Sequence, residues 1–89
     1  MPYEFDPKKD TTNMAKHQGV SLVDAEGFEW DTCVVREDAR HSYAERRFEA
    51  VGYIGLRLHV MVFCNREQAV RVISLRRANK REESRYAKT

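Results

Sequence analysis

The sequence lacks any long apolar stretch, and its longest uninterrupted apolar run extends only from Val60 to Cys64. A membrane-spanning helix needs about 18 or more apolar residues in succession, so the sequence predicts no membrane span. The first residues, Met1 to Asp6, show no apolar signal region, and we therefore expect a cytoplasmic protein. With only two cysteines, Cys33 and Cys64, a disulfide framework is not expected, and both are predicted to be reduced thiols.

The composition nevertheless suits a folded domain. The chain has 89 residues, of which 42% are hydrophobic and 10% aromatic, which is too apolar for a disordered segment. A chain of this length is expected to form a single domain, here over residues 1–89.

Charge is distributed unevenly along the chain. Residues 76–89 carry six Lys and Arg against two Asp and Glu, a net charge of +4, whereas residues 1–75 carry ten against twelve, a net charge of −2. A basic segment on a slightly acidic body indicates a localised anion-binding surface. A solvated helix face is the alternative interpretation.

The front of the chain has the signals of two helices. Asp6 is a good N-cap and Pro7 suits the first helical position, so a helix is predicted from there toward His17, ending at Gly19. Ser21 offers a second N-cap with Asp24 three residues later, which predicts a second short helix.

The middle of the chain has strand patterns. We predict strands at Arg47–Ile54, Leu56–Asn65 and Val70–Leu75, joined by short turns, with a further short strand at 32–35. The apolar residues on both faces of the second of these strands favour a central position in a sheet.

The end of the chain predicts a closing helix, because Asn79 and Glu82 have the spacing of a capping box. The expected fold is therefore α+β, with two N-terminal helices, a small antiparallel sheet and one C-terminal helix.

Several segments resemble the BrnT family of toxins. The resemblance is carried by Phe5-Asp6-Pro7-Lys8, then Asn13, Lys16-His17 and Gly19-Val20-Ser21, then Arg40-His41, Glu45 and Arg47, and finally Val72-Ile73-Ser74-Leu75-Arg76-Arg77-Ala78 with Glu82 and Tyr86. One departure from the family pattern is Gln18, which is inserted between His17 and Gly19. The resemblance implies a RelE-like ribonuclease that stops translation. It also implies a BrnA-type antitoxin as the partner. The toxin is then expected to be associated with DNA only indirectly, through this antitoxin.

RNA can be cleaved without a metal because its own 2′-OH attacks the adjacent phosphate. An enzyme must then remove a proton, stabilise the charge on the phosphorane and protonate the leaving oxygen. Arginine suits the second task because its planar fork donates two hydrogen bonds to phosphate. We expect Arg76, placed at the end of a strand by the resemblance, in this role, with Arg47 joining it across the sheet.

The other candidates fall into two groups. The predicted proton-transfer residues, among which the sequence does not choose the general base, are His17, His41, Glu45, Glu82 and Tyr86. The predicted RNA-binding residues are Lys16, Arg77, Lys80, Arg81 and Arg85.

Structural roles stand as alternatives for most of these residues. His17 suits a helix C-terminus, Glu82 suits a helix cap, and Glu45 suits a surface ion pair with a neighbouring arginine. His59 and Trp30 are expected to be structural. No spacing of His and Cys typical of a zinc site and no Gly-rich phosphate loop is present, so no metal or cofactor is expected. The alternative function is a basic module that binds nucleic acid or a partner protein without cleaving.

Overall fold

The computed structural model describes residues 2–40 and 44–89, and its elements follow in chain order. They are β1 (Tyr3–Glu4), α1 (Pro7–Lys16), two 3₁₀ turns (Leu22–Gly27 and Trp30–Thr32), β2 (Val34–Glu37), β3 (Phe48–Ile54), β4 (Arg57–Arg66), β5 (Ala69–Arg77) and α2 (Lys80–Ala87).

The α+β class is confirmed, but the sheet is larger than predicted. It has five strands in the order β1-β5-β4-β3-β2. The expectation of a purely antiparallel sheet is wrong, because β1 pairs with β5 in parallel while the other three pairings are antiparallel. A strand of two residues is too short to show alternation, and its pairing with a segment more than sixty residues away leaves no local signal.

The first helix begins as predicted. The Asp6 side chain accepts a hydrogen bond from the Lys8 backbone N–H, and Pro7 is the first helical residue. The helix ends at Lys16, and the chain then turns through Gln18 at φ 57° and Gly19 at φ 81°. The left-handed conformation is ordinary for glycine and uncommon for glutamine, so the residue that departs from the family pattern also has an uncommon backbone conformation.

The second predicted helix is a 3₁₀ segment rather than an α-helix. The expected capping box between Ser21 and Asp24 is present. However, the backbone bonds are of the i to i+3 type, from Asp24 to Ser21 and from Phe28 to Ala25. A segment of six residues that contains a glycine is too short to gain from i to i+4 bonds, which explains the tighter form.

The core lies between the 3₁₀ segments and one face of the sheet. Leu22, Ala25 and Phe28 pack there against Met61 and Leu75 of the central strands. The strands have no spare room at this layer, since a Cβ added at Gly52 would lie 2.7 Å from the ring of Phe28.

The structural roles predicted for Trp30 and His59 are confirmed. Trp30 is packed edge-on against Phe28 and Phe63, and its indole N–H donates to the Tyr3 hydroxyl at 2.7 Å. His59 is buried, and its Nδ1 lies 2.9 Å from the Arg57 carbonyl.

The opposite face of the sheet, here called the outer face, carries Arg76. In register, Arg76 lies beside Val60, which lies beside Val51, which lies beside Val34. Arg77 alternates to the core face beside His59, which confirms that the two arginines project from opposite faces. Helix α2 contacts the outer face at one end, where the ring of Tyr86 meets that of Tyr53 edge-on at 5.6 Å.

Candidate nucleic-acid interface

A basic cavity lies where the C-terminus of α1 meets the junction of β5 and α2. Its volume is about 340 Å³, and its charged or titratable lining consists of Lys16, His17, Arg57, Arg76 and Arg77. Among the described residues that line it, none is a carboxylate. Four cationic residues contribute to the lining of one concave surface, which favours a phosphate or another anion as its ligand.

Buried Asn13 holds the two walls of this cavity together. Its side-chain amide donates to the Val20 carbonyl at 2.9 Å and to the Leu75 carbonyl at 2.7 Å, and its oxygen accepts from the Leu75 N–H at 3.1 Å. Leu75 directly precedes Arg76, and Asn13 lies in α1 one turn before His17, the residue that caps the end of this helix. One side chain therefore fixes the distance between the element carrying His17 and the strand carrying Arg76.

The environment of His17 favours the neutral imidazole. Burial lowers the pKa of His17 below its usual value of 6.5, and the positive charges of Arg76 and Lys16 lower it further. A histidine that is neutral near pH 7 can accept a proton, and His17 shares the cavity lining with arginines, a residue type suited to binding phosphate.

Arg76 is held by a bidentate pair with Glu82. The two guanidinium nitrogens donate to the two carboxylate oxygens at 2.8 and 2.7 Å. The same carboxylate accepts from the Asn79 N–H at 2.9 Å, so the predicted capping box is confirmed and also orients the arginine. The hydrogen bond with Arg76 lowers the pKa of Glu82, and the same bond raises the pKa of Arg76.

An apolar groove lies on the outer face next to this pair. We define it by Val34, Val51 and Tyr86, with the charged residues Arg36, Glu49, Glu82 and Arg85 around it. The Tyr86 hydroxyl donates to the Thr32 carbonyl at 2.6 Å, which holds the ring against the sheet. Because Arg76 lines the basic cavity and Glu82 lines the groove, their ion pair lies between the two sites.

The predicted RNA-binding residues divide between these surfaces. Lys16 and Arg77 line the basic cavity, and Arg85 lines the groove. Lys80 and Arg81 are exposed on the first turn of α2.

Two predicted catalytic residues lie away from the basic cavity. Glu45 pairs with Arg66 at 3.0 Å and lies 3.9 Å from the Cys64 sulfur, at the far end of β4. Arg47 directly precedes β3. It is four residues from Val51, which lies in register with Arg76, and four residues span about 13 Å along a strand. His41 lies outside the described residues.

Sequence reasoning missed several residues of the two sites. Arg57 and Glu49 sit within strand patterns and were treated only as strand residues, although both line one of the sites. The sequence indicated Asn13 only as a polar residue shared with the BrnT family. Its hydrogen bonds to Val20 and Leu75 show that it has a structural role in packing α1 against β5. A polar residue in the middle of an amphipathic helix was the available signal.

The described part of the chain contains no group of three His, Cys, Asp or Glu side chains placed to hold a metal ion. Likewise, no helix in the described ranges is both long and apolar enough to cross a membrane.

Comparison with known proteins identifies the family. No curated protein sequence gives a significant match to the chain. The model of one family, described as BrnT, the ribonuclease toxin of a type II toxin–antitoxin system, matches residues 5–82. This match covers both the N-terminal helix and the Arg76–Glu82 pair, and the chain therefore belongs to the BrnT family of ribonuclease toxins.

Proposed function

We propose that this toxin is an endoribonuclease that cleaves RNA without a metal ion, by attack of the substrate's 2′-OH on the adjacent phosphate. The observation that carries the proposal is the meeting of Arg76 and His17 in one cavity lined by cations. The family supplies the class of reaction, and the cavity supplies groups suited to each of its steps.

The proposed roles follow from the chemistry of the side chains. Neutral His17 accepts the proton of the 2′-OH. Arg76, with Arg57 beside it, stabilises the negative charge that develops on the phosphorane. Lys16 gives a proton to the leaving 5′-oxygen, because an ammonium gives up its proton far more readily than a guanidinium does. The products are a 2′,3′-cyclic phosphate and a 5′-hydroxyl.

Other predicted residues have outer roles in this proposal. Arg77, Lys80, Arg81 and Arg85 bind the phosphates of flanking nucleotides, since phosphate contacts supply most of the affinity of such surfaces. Glu45, Arg47 and His41 remain predicted site residues, and Tyr86 forms one wall of the groove beside the cavity.

The biological setting forms part of the proposal. We infer that the reaction inhibits translation in the cytoplasm. We also infer that the neutralising partner is a BrnA-type antitoxin and that DNA is contacted by the antitoxin, not by the toxin. An acidic segment of that partner would suit the carboxylate-free lining of the basic cavity and would compete with RNA there. A toxin–antitoxin complex that cleaves RNA as fast as free toxin would contradict this mode of inhibition.

The test of the reaction uses an RNA with one defined cleavage site. We expect the purified chain to cleave it in the presence of a chelator and to leave a 2′,3′-cyclic phosphate. The same RNA with a single 2′-deoxy nucleotide on the 5′ side of the scissile bond should resist cleavage at that bond. Cleavage that survives this substitution, or that stops on chelation, would overturn the proposed mechanism.

A further inference from the structure

We propose that the apolar groove beside the Arg76–Glu82 pair is a nucleobase-binding site that selects guanine, with Glu49 and Arg36 reading the edge of the base. The inference rests on the proposed function for the identity of the ligand, RNA, and it adds a specificity site to that function.

The groove offers the apolar surface that a base needs. Val34 is 38% exposed although it belongs to a strand, and together with half-buried Val51 it forms a floor on the outer face. The Tyr86 ring forms one wall and is fixed by its bond to the Thr32 carbonyl. Single-stranded RNA is read in this way, with an unstacked base lying against apolar or aromatic side chains.

The groove also contains a positioned acceptor. Both hydrogen bonds from Arg36 reach the same Glu49 oxygen, Oε1, at 3.3 and 3.0 Å. Within residues 2–40 and 44–89, no donor is bonded to the other oxygen, Oε2. The Glu49 side chain is only 14% exposed, whereas that of Arg36 is 62% exposed. Because Glu49 lines the groove, we assign this second oxygen as the acceptor for a ligand there.

Guanine is the base that fits this acceptor. Its Watson–Crick edge presents two adjacent donors, N1–H and the N2 amino group, and both can donate to the one available oxygen, Oε2. Adenine, cytosine and uracil each place an acceptor next to their donor, so a carboxylate facing them meets repulsion. The exposed guanidinium of Arg36 is then placed to donate to guanine O6.

The position of the groove connects base reading with cleavage. Glu82 lines the groove and binds Arg76, and the charge of Glu49 is close enough to raise the pKa of Arg76 after the larger effect of Glu82. A nucleotide with its phosphate at Arg76 therefore has the groove within reach of its base.

The test separates binding from cleavage by using 2′-O-methyl oligouridylates, which cannot be cleaved by 2′-OH attack. Each carries one guanine, inosine or adenine, and fluorescence anisotropy measures affinity. We expect the guanine oligonucleotide to bind about tenfold more tightly than the adenine one. Inosine, which lacks the N2 amino group, should fall between them. Glu49→Gln should abolish the preference for guanine.

Glu37→Gln is the matched control. Glu37 lies in β2, the strand next to that of Glu49, and it also pairs with an arginine, Arg46, but it does not line the groove. It should keep the preference. If Glu49→Gln does not fold, Arg36→Lys replaces it and should weaken selection of guanine. Equal affinity for all three oligonucleotides, or a preference that survives Glu49→Gln, overturns the guanine site even where ordinary RNA is cleaved. Selective binding without cleavage of ordinary RNA supports the guanine site and overturns the ribonuclease mechanism instead.

Discussion

Glu82 binds both arms of the Arg76 guanidinium while its Oε1 also accepts from the Asn79 N–H, so one carboxylate caps helix α2 and holds the arginine. The helix therefore begins at the point where the arginine of the basic cavity is fixed. In this state the fork of Arg76 is occupied, and we expect the RNA phosphate of the proposed reaction to compete with Glu82 for it. The capping box is thus both a structural device and part of the candidate site.

Glu82→Gln tests this competition. Glutamine keeps the capping bond but loses the charge, so Arg76 becomes more available and affinity for RNA should rise about tenfold, or about 1.4 kcal/mol. Glu83→Gln makes the same change in net charge on the same turn, from an exposed position, and should have a smaller effect. Electrophoretic mobility shift with uncleavable RNA measures both. Equal effects of the two substitutions would show that net charge alone controls binding.

The pKa of His17 provides a second prediction. Lys16→Gln removes one of the positive charges that lower this pKa, so the value should rise toward 6.5. An NMR titration of the imidazole, assigned with His17→Gln, measures it without relying on activity. Lys8→Gln removes a charge from the same helix outside the cavity and should leave the titration unchanged. A His17 pKa at or above its usual value in the wild type would contradict the role of neutral base.

In cleavage, the same pKa sets the acid side of the pH profile. Because the base must be unprotonated, activity should rise with pH through the lowered pKa of His17, with its midpoint below pH 6.5, the usual value for the group. A midpoint clearly above that value would assign the base to another residue.

Asn13→Ala should reduce stability. It leaves the Leu75 N–H and two carbonyl groups without their partner, which should lower the free energy of unfolding by about 3 kcal/mol. Urea denaturation measures the change, and Asn65→Ala, at an exposed asparagine of β4, is the control with little expected effect. Similar stability of the two variants would contradict the linking role of Asn13.

Local signals explain why so much of the fold was predictable. Caps at Asp6, Ser21 and Asn79 mark the starts of segments, and alternation marks the three long strands. Each of these signals depends on residues that are close together in the sequence, so it can be recognised without knowing the fold. Strand β1 was not predicted because it depends on pairing with a distant segment. The 3₁₀ form of the second helix was not predicted because it depends on the shortness of that segment.

The candidate site was predictable only in its parts. Arg76, His17 and Lys16 were named, but nothing in their spacing says that the end of α1 reaches the end of β5. That contact depends on Asn13, sixty-two residues from Leu75 in sequence. Glu49 was hidden for another reason, since a charged residue on a strand is ordinarily a solvent-facing one.

The central claim is that Arg76 and His17 form the active site, and single-turnover cleavage of labelled RNA with chelator present tests it most directly. Arg76→Lys keeps the charge and loses the fork, and it should slow cleavage by about 10²-fold or more, as should His17→Gln, with RNA affinity largely kept. Lys8→Ala, an exposed change on α1 outside the basic cavity and the groove, should cleave at nearly the wild-type rate. Full cleavage by either cavity variant would move the active site elsewhere, and wild-type binding without cleavage would favour the non-catalytic module.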